Sequence, residues 1–179
     1  LDNRLAFSGS GARSAGGVVQ LDRQYDGLGL RYARRLPVGE GAVQLSVGLD
    51  AERMSEHRLG YVNNNGVPGD LRRDERDSVR STGLYTQADW SVNEDWSAVA
   101  GLRANRVNFR VEDAYIRPGT PGNPDDSGRT AFSATNPVLG ITRHLSADTN
   151  VYANIGRGFE TPTLTEIAYT AGGTGPNLG

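Results

Sequence analysis

Between residues 42 and 52 the chain alternates without a slip. Val43, Leu45, Val47, Leu49 and Ala51 fall on one side; Gln44, Ser46, Gly48, Asp50 and Glu52 fall on the other. A repeat of two belongs to a β-strand with unlike faces and does not fit the 3.6-residue period of an amphipathic helix. The pattern recurs. In residues 83–92, Leu84, Ala88, Trp90 and Val92 oppose Gln87, Asp89 and Ser91. In residues 96–105, Ala98, Ala100, Leu102 and Ala104 oppose Ser97, Gly101, Arg103 and Asn105. The phase then inverts, because Val107, Phe109 and Val111 have the other parity, and a β-bulge near Arg106 is expected to reconcile the halves. Helical periodicity is nearly absent, so the predicted class is all-β.

This reading places strands near residues 1–8, 25–36, 42–56, 78–92, 96–112, 131–145 and 150–160. Pro137 lies inside the sixth; lacking an N–H, it is expected at a bulge or near the end of the regular ladder. The connections carry more information than the strands. Residues 37–41, 93–95 and 146–149 are short turns. Residues 9–24, 57–77, 113–130 and 161–179 are long, rich in Gly, Asn, Pro and charge, and are expected to be loops. In an antiparallel up-and-down meander, strict alternation puts every short turn at one end and every long loop at the other. Transmembrane β-barrels have this asymmetry, with an apolar exterior and a polar interior. Trp90 and Trp96 flank one short turn, which suits an interfacial aromatic girdle and equally suits packing in a soluble core.

A mean hydropathy of −0.51 is compatible with such a barrel, because only every second residue of a strand faces lipid. No run approaches the roughly 18 apolar residues of a spanning helix. The formal net charge of −2 gives no basic excess for nucleic acid. The absence of cysteine excludes disulfides and thiolate metal sites.

Catalysis has little support. His57 falls at the long-loop end and His144 at the short-turn end, roughly 30 Å apart for a strand of about ten residues. They cannot share one acid–base site. The glycines of residues 9–17 are not followed by a helix that could hold a phosphate, so flexible loop is the reading. Asp125 and Asp126 lack the spacing of a calcium loop. No catalytic residue, metal ligand or cofactor is assigned. The polar faces are more telling: Arg31, Arg35, Gln44, Asp50, Gln87, Asp89, Arg103 and Asn105 would all enter one interior. A sandwich core rarely buries so many charges, whereas a watered or plugged lumen tolerates them. Residues 57–77 carry Arg58, Arg72, Arg73 and Arg76 against Asp70, Asp74, Glu75 and Asp77, a mixed-charge surface that arginines could turn toward an anionic ligand.

Residues 150–167, NVYANIGRGFETPTLTEI, resemble the barrel segment of TonB-dependent outer-membrane receptors, in which a strand ends in a Gly-Phe-x-x-Pro-x-x-x-Glu pattern. The matching positions are Gly158, Phe159, Pro162 and Glu166, read as a structural strand terminator with Glu166 closing a capping box from Thr163. Residues 83–107 are similar to the family's Tyr-x-Gln hairpin leading to a Gly-Leu-Arg strand, and residues 136–155 to the hairpin before the signature strand. The resemblance implies a portion of a transmembrane barrel: about seven strands of roughly 22 around a plugged lumen. It implies a receptor of the Gram-negative outer membrane that takes up a scarce ligand, foremost a ferric siderophore. Its partners would be outer-membrane lipid, an iron chelate and the TonB complex, with no nucleic acid. Neither a plug domain nor a TonB-recruiting box is recognised in these residues, so an incomplete internal barrel fragment is expected. Tyr61, Tyr115 and Arg117 are loop residues of the type such receptors turn to ligands, and are also ordinary loop residues. The ligand itself has no signature. Two other readings stand beside this one: a complete eight-stranded outer-membrane barrel serving as anchor, adhesin or lipid-modifying enzyme, and a soluble β-sandwich binding module.

Overall fold

The computed structural model describes residues 1–11, 14–119 and 122–164. Seven strands follow one another: β1 (Asp2–Arg4), β2 (Val18–Val38), β3 (Gly41–Asn64), β4 (Val67–Ser91), β5 (Trp96–Asp113), β6 (Gly128–Ser146) and β7 (Thr149–Gly156). Each pairs antiparallel with its chain neighbour, giving one sheet in the order β1-β2-β3-β4-β5-β6-β7. β1 and β7 are its two edges, so among the described residues the sheet is neither closed into a small barrel nor stacked on a second layer.

Register sorts the side chains into two faces. Leu30 lies opposite Leu49, Leu49 opposite Leu84, and Leu84 opposite Ala104, so the apolar parity of each strand continues into the next. Val43 to Ala51 on β3 set the height of this belt, about 25 Å, the hydrocarbon span of a membrane barrel. Its aliphatic side chains stand in the open: Leu30 is 58% and Ile155 73% exposed. The opposite face takes all eight polar residues expected of an interior, since Arg31, Gly48, Tyr85 and Arg103 share one rung, and the others follow the same parity. Arg103 donates to Asp50 at 2.8 Å and to Asn105 at 2.8 Å, and its guanidinium lies 5.6 Å from the Tyr85 ring centroid. Gly48 makes room for that ring, because a Cβ there would overlap its carbons.

Several expectations need correction. Residues 57–77 are not a loop. β3 and β4 run to 24 and 25 residues, more than twice what crosses a membrane, and join at Asn65-Gly66. Both turn residues have positive φ, 52° and 91°, the requirement of a tight hairpin turn that Asn and Gly meet at least cost. The sheet therefore projects well past the belt. The first two strands also differ: β1 has three residues rather than eight, and β2 starts at Val18, inside the segment expected as loop.

No bulge occurs near Arg106, for the β4–β5 and β5–β6 registers pass it unshifted. Bulges lie instead around Gly60, Tyr61 and Asn63, and near His144 and Ser146. The parity change in β5 marks where lipid ends. Above the belt the outward face meets water, so Phe109 and Val111 turn to the inner face, where they are 4% and 5% exposed. Phe109 packs edge-on against Phe132 with centroids 5.9 Å apart.

Pro137 pairs with Leu102 without a bulge. Its carbonyl accepts the Arg157 N–H at 3.0 Å, so its backbone faces the β7 side, and the missing N–H cannot return a bond to the Arg157 carbonyl just past β7. β7 accordingly stops at Gly156, not near residue 160.

Two outcomes are expected of this architecture. Expressed alone in detergent-free buffer, the chain should elute from a sizing column as aggregate, because both sheet edges and the apolar belt are unpartnered; a monodisperse folded peak would contradict this. In the full-length protein, Arg103→Ala should lower the unfolding temperature more than Arg103→Lys does, since it strands the partly buried Asp50 carboxylate.

Candidate functional site

Above the belt the inner face holds a charged cluster. Glu56 lies opposite Asp77, Arg58 opposite Glu75, and Gly60 opposite Arg73, so the odd-numbered residues of β4 meet the even-numbered residues of β3 on one face. Arg73, Glu75 and Asp77 are each about 5% exposed or less, and Glu56 is 4% exposed. Arg73 Nε forms an ion pair with Glu75 Oε1 at 2.6 Å, and Arg23 Nε donates to Glu56 Oε2 at 2.6 Å. Asp77 receives less compensation, and its Oδ1 has no hydrogen-bond partner among the described residues.

The electrostatics reflect this imbalance. Burial, then the negative charges of Glu75 and Glu56, push the Asp77 carboxyl up to about 7, against a weaker opposing pull from Arg73 and Arg58. Burial also raises Glu75, while Arg73 draws it back. Both groups lie above the lipid-facing belt.

Two segments roof this cluster. Ala15, from the β1–β2 connection, joins Arg72, Arg73, Glu75, Asp113, Tyr115, Asn123 and Asp126 around a cavity of about 10 Å³. Asp113 ends β5 and organises the connection that follows: one carboxylate oxygen accepts the Tyr115 N–H at 2.8 Å, the other the Asp126 N–H at 3.3 Å. Asn123 Nδ2 donates to the Tyr115 carbonyl at 2.7 Å, and the Arg117 and Asn123 backbones exchange bonds of 2.8 and 2.9 Å. The Arg117 guanidinium comes to rest 5.0 Å from the Tyr115 ring centroid.

Of the sequence-expected site residues, Tyr115 and Arg117 are thus brought together in a loop above the inner face. Tyr61 lies in β3 rather than in a loop, its carbonyl accepting the Gly17 N–H at 2.8 Å. Trp90 and Trp96 stand at the short-turn end on the apolar parity, with Arg143 5.1 Å from the Trp96 ring centroid. Gly158, Phe159 and Pro162 come after the end of β7, outside regular structure; Glu166 and its capping partnership lie outside the described residues. His57 bonds Asp74 at 2.9 Å and His144 bonds Asn150 at 2.6 Å, at opposite ends of the sheet. No group of three or more His, Cys, Asp or Glu suited to a metal occurs among the described residues. Glu56, Arg73, Glu75 and Asp77 were not singled out as a buried set by sequence. Their signal was the i, i+2, i+4 spacing of residues 73, 75 and 77.

A tall antiparallel sheet with a lipid-facing belt, a charged inner wall and loops gathered at one end is a wall segment of an outer-membrane β-barrel. The chain belongs to the TonB dependent receptor-like β-barrel family, whose model matches residues 1–179. Its fold is similar to that of the ferric citrate transporter FecA in its unliganded form (TM-score 0.64, 22% identity), over 82% of this chain and 22% of that one. It is also similar to the ferric-catecholate import receptor Fiu from E. coli K12 in its open form (TM-score 0.64, 14% identity), over 80% of this chain and 26% of that one. The chain therefore spans about a quarter of the receptors it matches.

The raised Asp77 carboxyl sets a pH dependence. Between its ordinary value of 3.8 and about 7, Asp77 binds more proton folded than unfolded, so the β3–β4 projection loses stability as pH rises through that window. In the full-length receptor, amide exchange of residues 56–60 and 73–77, corrected for intrinsic rates, should be several-fold faster at pH 8 than at pH 5. Asp77→Asn should flatten the difference; an unchanged difference in that variant would remove Asp77 as its origin.

Proposed function

We infer that this chain is part of the wall of an outer-membrane receptor that takes up a ferric siderophore in a TonB-dependent manner. The observation that carries this reading is the Tyr115–Arg117 stack above an arginine-containing inner wall, in a fold shared with FecA and Fiu. Ferric chelates of citrate or catecholate type are anionic, and the catecholates also present aromatic rings. A guanidinium held on an aromatic ring offers both a fork of donors and a stacking surface. Arg58 and Arg72 add positive charge below, each with an Nε that lacks a hydrogen-bond partner among the described residues. Tyr61, on the same projecting hairpin, is assigned a supporting ligand contact.

The other assignments rest on position. Trp90 and Trp96 anchor the short-turn rim at the periplasmic interface, while Gly158, Phe159 and Pro162, with Glu166, are assigned the structural role of terminating a strand. Transport needs the rest of the receptor, including the parts that meet the TonB complex. No enzymatic role is assigned.

The test is binding of a panel of ferric chelates to the full-length receptor, monitored by quenching of tryptophan fluorescence. One class should bind, and Arg117→Glu with Tyr115→Ala should weaken it at least tenfold, with Tyr61→Ala weakening it less. Failure of every iron chelate to bind, or binding indifferent to Tyr115 and Arg117, would overturn the reading.

A further inference from the structure

Three alanines on the outward face, Ala88, Ala98 and Ala100, leave a recess in the apolar belt near its short-turn end. Ala88 lies opposite Ala100, and Trp90 lies opposite Ala98. The neighbours on either side are large. Val43 stands beside Trp90 on β3, while Leu139 and Ile141 on β6 face Ala100 and Ala98. The difference in side-chain height opens a groove of about 550 Å³. Apart from Asn154, which has the inward parity, every residue around it is apolar or glycine. Higher in the belt Leu49, Leu84 and Leu102 stand in the open, and the alanine floor does not continue.

The mouth of the groove carries a cation. One rung nearer the short turns, about 7 Å along the strands, Trp96 pairs with Arg143 and Arg143 with Val151. The exposed Arg143 guanidinium lies 5.1 Å from the Trp96 ring centroid. Glu94, Asp95 and Asp148 occupy the neighbouring connections, yet Arg143 has no ion partner among the described residues. A guanidinium on an indole face keeps its N–H donors for an oxyanion.

We propose that this groove seats one acyl chain of an inner-leaflet glycerophospholipid, with Arg143 binding its phosphate. Depth and charge select the occupant. The short-turn end of such a barrel is periplasmic, so Trp90, Trp96 and Arg143 stand at the headgroup level of that leaflet. A phosphate there meets a fork of donors, and the glycerol carries the chain one rung up, over Ala98 and Ala100. A flexible chain supplies the dispersion contacts that an unfilled recess would forfeit. The site depends on the short turns facing the periplasm and is independent of the chelate that the lumen receives.

The test uses the full-length receptor, delipidated in neutral detergent and observed by native mass spectrometry. The probes are phosphatidylglycerol, diacylglycerol with the same chains, and glycerol phosphate. One phosphatidylglycerol per receptor should stay bound at concentrations where the other two do not. Ala100→Phe, which fills the groove, and Arg143→Gln should each lower its affinity at least fivefold. Ala104→Phe, two rungs higher in the belt, and Arg34→Gln, an outward arginine on β2, should leave it unchanged. Heat-modifiable electrophoretic mobility reports barrel folding, and Ala100→Leu decides the question if Ala100→Phe does not fold. Equal affinity for diacylglycerol, competition by glycerol phosphate at equal concentration, unchanged binding in the groove and Arg143 variants, or equal losses in the two controls would overturn the proposal. So would a receptor dimer that Ala100→Phe disperses, since a second copy would then occupy the groove. Loss of the lipid with ferric-chelate binding retained is the expected result and separates this site from the receptor function.

Discussion

In hydrocarbon a backbone N–H or C=O has no water to bond, so every peptide group that crosses the belt must find its partner on a neighbouring strand. This requirement organises the rest of the sheet. It makes sequence-adjacent strands pair in order and keeps the β4–β5 register unshifted from Ser91 to Glu75. It also keeps the bulges away from the belt. The bulges around Tyr61 and Ser146 lie at the two ends of the sheet, outside the belt. Pro137 is tolerated because its missing donor points toward β7 where that strand stops, rather than toward β5, where the ladder continues. The Asn136 Oδ1 atom beside it, buried without a hydrogen-bond partner among the described residues, sits on the polar inner face rather than toward lipid.

Once the ladder satisfies the backbone, the side chains sort by what each face meets. Within the belt the outward face is mostly apolar, Arg34 and Thr86 apart, and the inward face is polar, tied by contacts such as the Asp50–Arg103 pair and the Arg31–Ser46 bond of 3.1 Å. Above the belt both faces become polar, for different reasons. The inward face there is buried beneath the β1–β2 and β5–β6 connections, so its charges must pair or shift their protonation. The outward face is exposed, so its arginines need no partner from the protein. Asp77 and Arg80 are three residues apart on one strand and embody the two cases: one is a buried acid with a raised pKa, the other an exposed cation.

The same division explains what could be read from sequence. Residues 42–52 announced a strand because lipid on one side and lumen on the other force strict apolar–polar alternation. That contrast vanishes in residues 57–77, where Arg73, Glu75 and Asp77 face inward and Asp74 and Arg76 face outward. A stretch charged on both faces has no hydrophobic period, and it looks like a solvated loop although it is a continuous hairpin. Asn65-Gly66 was the one local cue, a turn pair that fixes a two-residue hairpin. The parity change at Val107 was visible but misread, since it records a change in surroundings along an unbroken strand. Tyr115 and Arg117 could be recognised as suitable residue types, while their stacking depended on Asp113 and Asn123 folding the connection, which no periodicity reports.

The signature region takes its meaning from the same rule. Val151, Ala153 and Ile155 hold the outward parity to the end of β7, and the strand ends because Pro137 has no further hydrogen to give. The stop is therefore written partly in β6, about twenty residues earlier in the chain, and only partly in Gly158, Phe159 and Pro162. A motif that labels the family so clearly is thus the sequel to an unfinished ladder. Once Arg157 has made its single bond to Pro137, the chain is released from the ladder, and residues that favour turns follow.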